Sequence, residues 1–115
     1  MTDYITFILP TFNEEKNIIS LVKEILVLNK EYQIEIIVVD DNSNDNTQSL
    51  VREFSRNDRR VRLINRVGRY GLSSAICEGC LNSTGEVIAV MDSDGQHEVK
   101  SVYQSISFIL NSDYA

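Results

Sequence analysis

The chain has 115 residues, 43% of them hydrophobic, a single proline and a formal net charge of −6. That is enough apolar material for one globular domain around one core, and the acidic balance argues against a nucleic-acid binder. The positive charge is concentrated, because every arginine falls between Arg52 and Arg69, where only Glu53 and Asp58 oppose them. A basic stretch in an acidic protein suits a phosphate-bearing ligand or an anionic membrane surface. Arg52, Arg56, Arg59 and Arg60 nevertheless read first as a solvated helix face and loop.

In chain order, Tyr4–Leu9 is a β-rich run that Pro10 ends. A helix follows, with Leu21, Val22, Ile25 and Leu26 forming an apolar stripe beside Ile18. Thr11-Phe12-Asn13-Glu14 has the spacing of a capping box, and Glu14 and Glu15 suit the positive start of that helix. Glu35–Val39 is the second strand, and Asp40–Thr47 is a loop of turn formers and helix caps. A short helix then carries Leu50, Val51 and Phe54, and Val61–Asn65 is the third strand. Arg66–Gly71 is a loop with glycines at 68 and 71, and a helix spans about Leu72 to Leu81. Val87–Met91 is wholly apolar and is expected to be a strand buried on both faces. A last helix covers about Lys100 to Leu110, and Asp113-Tyr114-Ala115 reads as the opening of another strand.

Cys77 and Cys80 fall inside the third predicted helix. Zinc needs about four ligands and the chain offers one histidine, so the pair is expected to be two small buried hydrophobes in a reducing compartment. The first residues show neither a basic region nor a long apolar segment. No apolar run approaches the roughly 20 residues a spanning helix needs, so a cytoplasmic location is expected.

Strands alternating with helices imply βαβ units and a three-layer α/β sandwich on a mostly parallel sheet. In that geometry the loops at 10–14, 40–47, 66–71 and 92–97 gather along the carboxyl edge of the sheet, where open α/β folds bind ligands. The last loop holds Asp92-Ser93-Asp94-Gly95-Gln96-His97. Its two carboxylates, spaced i, i+2, are hard oxygen donors that suit Mg2+ or Mn2+ together with phosphate oxygens and water. Alone, the pair suits a capped turn through Gly95 equally well. Its company on one edge favours a shared metal–diphosphate site.

Together the loops resemble the family-2 glycosyltransferases of GT-A fold, especially the branch of dolichyl-phosphate mannosyltransferases and undecaprenyl-phosphate glycosyltransferases. The matching stretches are Leu9-Pro10-Thr11-Phe12-Asn13-Glu14, Val38-Val39-Asp40-Asp41-Asn42-Ser43, Arg66-Val67-Gly68-Arg69-Tyr70-Gly71-Leu72 and Met91-Asp92-Ser93-Asp94-Gly95-Gln96-His97. They stand in the family's order and spacing. The resemblance implies an inverting transferase that moves a sugar from a UDP- or GDP-linked donor to a polyprenyl phosphate or glycan at the inner membrane face, as in cell-envelope glycan synthesis. It also implies a divalent cation, Mg2+ or Mn2+. Pro10, Thr11, Phe12 and Glu14 would wrap the nucleotide, with Glu14 near the ribose or base. Asp41 would accept an N–H of uracil or guanine, and Gly71 would belong to the same nucleotide site. Arg66 and Arg69 would meet the phosphates. Asp92 would lie beside nucleotide and ion, with Asp94 and Gln96 as further ligands of the ion.

Two residues depart from the family pattern: Phe12 stands where tyrosine is usual, and Glu98 where proline is common. No catalytic residue is assigned. Residues 1–115 read as a donor-binding domain incomplete at its C-terminus, and a homo-oligomer or partner chain is one source of the remainder. Two alternatives stand beside this. One is a fragment that binds nucleotide without transfer. The other is a phospho-receiver-like signalling module, disfavoured because the acidic pair follows the second strand and not the first.

Overall fold

The computed structural model describes residues 4–27, 32–68, 70–93 and 99–110, with the side chains of 103 and 106–110 excepted. Strands and helices alternate as β1 (Tyr4–Thr11), α1 (Ile18–Val27), β2 (Gln33–Asp40), α2 (Thr47–Asn57), β3 (Val61–Asn65), α3 (Leu72–Leu81), β4 (Val87–Val90) and α4 (Val99–Leu110). Among the described residues every pairing is parallel, and the strand order is β3-β2-β1-β4. The three-layer parallel sandwich expected from the alternation is what forms.

Period-two alternation divides the strand side chains between two layers. Ile5, Phe7, Leu9, Ile36 and Val38 face α1 and α2 in the larger core, together with Ile18, Leu21, Val22 and Ile25 of α1 and Val51 of α2. Val99 of α4 joins the same layer. Ile8, Ile37 and Val39 face α3, where Ala75 meets them. Each such fully buried branched or aromatic side chain contributes about 1.5–3 kcal/mol over its exposed state. At the amino edge Glu35, 7% exposed, accepts from Thr6 Oγ1 at 3.0 Å, Arg62 Nη2 at 3.0 Å and the Thr84 amide at 3.1 Å. One buried carboxylate thereby ties β1, β3 and the α3–β4 connection to β2.

Four sequence expectations are corrected. Pro10 does not end β1, which runs on to Thr11 in register with Asp40. Even-numbered residues of β1 turn their backbone groups towards β4, as the Met91 amide donating to the Ile8 carbonyl at 3.1 Å shows. The β1–β4 pairing stops at Ile8–Val90, so the donor that proline lacks is not required. Second, Thr11 and Glu14 make no capping box. Helix α1 begins only at Ile18, after a turn in which the Glu14 carbonyl accepts from the amides of Asn17 and Ile18. Third, β4 is buried on one face only: Ala89 is enclosed, but Ile88 and Val90 are 40% and 41% exposed. Helix α3 covers β1 and β2 and leaves the outer face of this edge strand open. Fourth, Cys77 and Cys80 are exposed free thiols, because α3 turns its smallest residues, Ala75 and Gly79, to the sheet. The strand expected at Asp113–Ala115 lies outside the described residues. Among the described residues, no helix is long and apolar enough to cross a membrane.

Candidate functional site

The chain lays β1, β2 and β3 side by side and then returns through α3 to the far side of β1. Where strand order reverses, consecutive connections leave on opposite faces and a crevice opens beyond the carboxyl ends of the strands. A recess of about 220 Å3 lies at this carboxyl edge, lined by Pro10, Thr11, Phe12, Asp41, Leu72 and Ala75. Phe12 and Leu72 are more than half exposed, at 53% and 57%, and with Pro10 they give the recess apolar walls. Among the described residues Asp41 is the one acid lining it. The chain turns just beyond the first and second loops' key residues through left-handed Asn13 (φ 54°) and Asn42 (φ 56°). Asparagine accepts that conformation more readily than most residues.

Asp41 is held from behind. Its Oδ1 lies 2.8 Å from Arg66 Nε, and its Oδ2 accepts the Gly71 amide at 3.2 Å. Gly71 has φ 116°, a backbone region open to glycine. Arg66 is only 2% exposed, and its Nη2 donates to Ser74 Oγ at 2.8 Å. Glu78 of α3 stands on the same guanidinium, 3.7 Å from Nε. The guanidinium expected at the ligand phosphates is thus turned inward. The buried charge of the pair is the Arg66 guanidinium, 1% exposed against 16% for the Asp41 side chain, and Asp41 compensates it.

The first two loops are locked together. The Asn13 amide donates to Ser43 Oγ at 2.8 Å, the Asn44 amide to Asn13 Oδ1 at 2.8 Å and the Glu14 amide to Thr47 Oγ1 at 2.9 Å. Glu14 itself does not line the recess, and its Oε2 accepts from Asn17 Nδ2 at 3.3 Å. Asp45 accepts from the Thr47 hydroxyl, from the Thr47 amide at 2.9 Å and from the Glu15 amide at 3.3 Å. Desolvation pushes the Asp45 carboxyl up, but these hydrogen bonds, led by the Thr47 hydroxyl, outweigh it and hold the group below its ordinary value of 3.8.

On the other side of β1, Ser93 is 3% exposed and donates from Oγ to the Pro10 carbonyl at 2.9 Å. That bond fastens the start of the acidic loop to the end of β1. Asp92, between Ser93 and the Met91 amide that bonds to β1, has an exposed side chain. Asp94, Gln96 and Arg69 lie outside the described residues. Among the described residues no three His, Cys, Asp or Glu side chains are grouped as a metal site. The structure therefore brings Pro10, Thr11, Phe12 and Asp41 into one recess, sets Gly71 at its rim, places Asp92 just across β1, and leaves Glu14 and Arg66 out of the lining. Sequence reasoning missed Leu72 and Ala75, whose i, i+3 spacing at the start of a helix after a site loop was the available signal. It also missed Ser93, which the acidic pair overshadows.

A larger groove of about 460 Å3 runs between α1 and α2, lined by Ile19, Lys23, Leu50, Glu53, Phe54, Asn57 and Asp58. It contains none of the strand-end loop residues.

The family model described as Glycosyl transferase family 2 matches residues 6–115. The dolichol-phosphate mannosyltransferase of Pyrococcus furiosus is 38% identical over 112 residues, covering 96% of this chain and 32% of that protein. A dolichyl-phosphate beta-glucosyltransferase of Trichomonas vaginalis is 36% identical over 103 residues, covering 84% of this chain and 31% of its own length. The chain thus spans about a third of the length of these curated relatives. In fold it is similar to the mannosyltransferase PcManGT of Pyrobaculum calidifontis, solved with GDP-Man and Mn2+. The TM-score is 0.72 at 24% identity, over 96% of this chain and 33% of that one. Parallel topology, the acid-floored recess at the carboxyl edge and the match over nearly the whole chain agree: the chain belongs to glycosyl transferase family 2.

Proposed function

We propose that this chain is the donor-binding part of an inverting glycosyltransferase that uses a UDP- or GDP-linked sugar. The observation that carries this is the recess, with one carboxylate between apolar walls at the carboxyl edge of the sheet. An ionised Asp41 is acceptor-only, so it selects a base edge that presents an N–H, as the imide of uracil and the amide of guanine do. Arg66 and the Gly71 amide hold that carboxylate in place. The Phe12 ring, with Pro10 and Leu72, offers faces to an aromatic base and excludes water from the contact.

The diphosphate then extends towards β4, where the exposed Asp92 offers a hard oxygen that fits Mg2+ or Mn2+. Asp94 and Gln96 are the further donors we assign from sequence. When bound, such an ion neutralises charge on the departing nucleoside diphosphate. The Ser93 hydroxyl, bonded to the Pro10 carbonyl, keeps the metal loop in register with the nucleotide loop.

The activities named for the relatives, mannosyl and glucosyl transfer to dolichol phosphate, support a polyprenyl phosphate as acceptor. That acceptor places the chain at the cytoplasmic face of a membrane, with the rest of a longer protein or a partner chain completing the cleft. A phosphate acceptor needs no general base, because its oxygen is already anionic. It forms the new bond to the anomeric carbon as the bond to the nucleoside diphosphate breaks on the opposite face.

Calorimetric titration with UDP, GDP and their sugar conjugates, with Mn2+ and with chelator, tests this. The expected result is binding of one nucleoside diphosphate that requires the ion, and weaker ion-dependent binding in Asp94→Ala. Binding indifferent to both chelator and Asp94→Ala would refute the metal assignment. Turnover of a nucleotide sugar separates a transferase from a unit that only binds.

A further inference from the structure

Two aspartates stand side by side at the end of β2, and strand alternation sends them to opposite faces. Asp41 enters the recess beside α3, whereas Asp40 points into the α1–α2 layer and is 0% exposed. A carboxylate so enclosed persists only if its oxygens are hydrogen-bonded, and Asp40 accepts from every side. Oδ1 receives the Thr11 hydroxyl at 2.6 Å and the Ser43 hydroxyl at 2.6 Å. Oδ2 receives the Ser43 amide at 2.8 Å and Gln48 Nε2 at 2.7 Å.

Those donors belong to different parts of the site. Thr11 is the last residue of β1 and precedes Phe12. Ser43 lies in the loop that carries Asp41, and its Oγ also accepts the Asn13 amide. Gln48, in the first turn of α2, donates from the same Nε2 to Asn65 Oδ1 at 2.9 Å. Asn65 ends β3 and precedes Arg66, the counter-charge of Asp41. One carboxylate therefore reaches the ends of β1, β2 and β3.

We propose that Asp40 is a positioning residue for the nucleotide site. It sets the relative placement of the loops bearing Phe12, Asp41 and Gly71 without touching the ligand, and this rests on the nucleotide-site assignment made above. The chemistry specifies which replacement preserves the role. The two partners of Oδ2 only donate, whereas the two partners of Oδ1 are hydroxyls that turn and accept. Asparagine, with its oxygen in the place of Oδ2 and its amide nitrogen in the place of Oδ1, keeps all four contacts.

The test is nucleoside-diphosphate affinity with Mn2+, measured for the parent chain, Asp40→Asn, Gln48→Ala and Glu35→Gln at a temperature where each is fully folded by circular dichroism. Glu35→Gln serves as the control for general destabilisation, because its network lies at the opposite edge of the sheet. The role predicts that Asp40→Asn stays within about threefold of the parent while Gln48→Ala weakens binding about tenfold, the loss of one hydrogen bond to a charged group. Glu35→Gln should lower the melting midpoint and leave affinity unchanged. A Gln48→Ala chain that melts earlier but binds as tightly as the parent would overturn the positioning role and leave the site intact. A parent chain that binds neither UDP nor GDP would overturn the site and this role with it.

Discussion

Arg60, Arg62 and Arg66 each neutralise a carboxylate of the chain itself, Asp58 at 2.6 Å, Glu35 at 3.0 Å and Asp41 at 2.8 Å. Part of the basic stretch therefore answers internal acids and is not a surface for phosphate. The Arg66 pair is the most enclosed, so removing one partner should be the most damaging. Arg66→Ala leaves Asp41 uncompensated and should lower the unfolding free energy by about 3 kcal/mol in urea titration. An effect within about 0.5 kcal/mol, the ordinary range for a surface substitution, would mean the pair is not buried as described. Asp45 gives a pH signature. Its carboxyl titrates below 3.8 in the folded chain, so its stabilising share is complete above that value and is lost as pH falls through the folded value. The stability difference between the parent and Asp45→Asn should accordingly shrink on acidification from about pH 4 downwards. A gap that widened over that range would reverse the sign of the shift. Asp41 was legible in the sequence as an acid at a strand end, because its type and place both suit a ligand. Its dependence on Arg66 was not, because nothing in local spacing joins residues on different strands.

At the scale of elements, hydrophobic periodicity placed β3 and α3 to the residue and β1, β2, β4 and α4 nearly so, whereas α1 starts well after the capping-box spacing at Thr11–Glu14 suggested. Which face of α3 lies on the sheet was not legible. Hydrophobicity points to Cys77, Cys80 and Leu81, yet Leu81 is 85% exposed and the cysteines are open. Close approach to β1 selects the small residues instead. A Cβ added at Gly79 would stand 2.7 Å from Ile8 Cγ2. Gly79→Ala should therefore destabilise by about 1–3 kcal/mol, and combining it with Ile8→Val should recover part of that loss, since the two sites are in contact. Additive losses in thermal unfolding would mean that the helix does not approach there. Both thiols should react with a thiol reagent in the folded chain at rates near those of the unfolded one. Strong protection of either would contradict the orientation of α3. Pro10 taught the same lesson on β1: it reads as a strand breaker, and only the early end of the β4 ladder makes it admissible.

For the whole molecule, the arrangement of strands does more than any single motif to locate the site. The order β3-β2-β1-β4 puts the reversal beside β1, and the loops after β1 and β2 meet the start of α3 around one recess there. Alternation of strands and helices was enough to anticipate a parallel sheet with its loops on one edge. Strand order was not readable from one sequence, and so neither was the bare outer face of Ile88 and Val90 on the edge strand. The α1–α2 groove, at about 460 Å3, is a larger concavity than the recess. The nucleotide is assigned to the smaller recess of about 220 Å3, because there a charged acceptor stands among apolar walls at the carboxyl edge. The most direct test is an amide chemical-shift titration of the isotope-labelled chain with GDP and with UDP in the presence of Mg2+. Saturable shifts are expected at Thr11, Phe12, Asp41, Gly71 and Leu72, with Ile19, Leu50 and Phe54 unmoved, if the recess holds the nucleotide. Shifts confined to Ile19, Leu50 and Phe54, or none with either nucleotide, would contradict it.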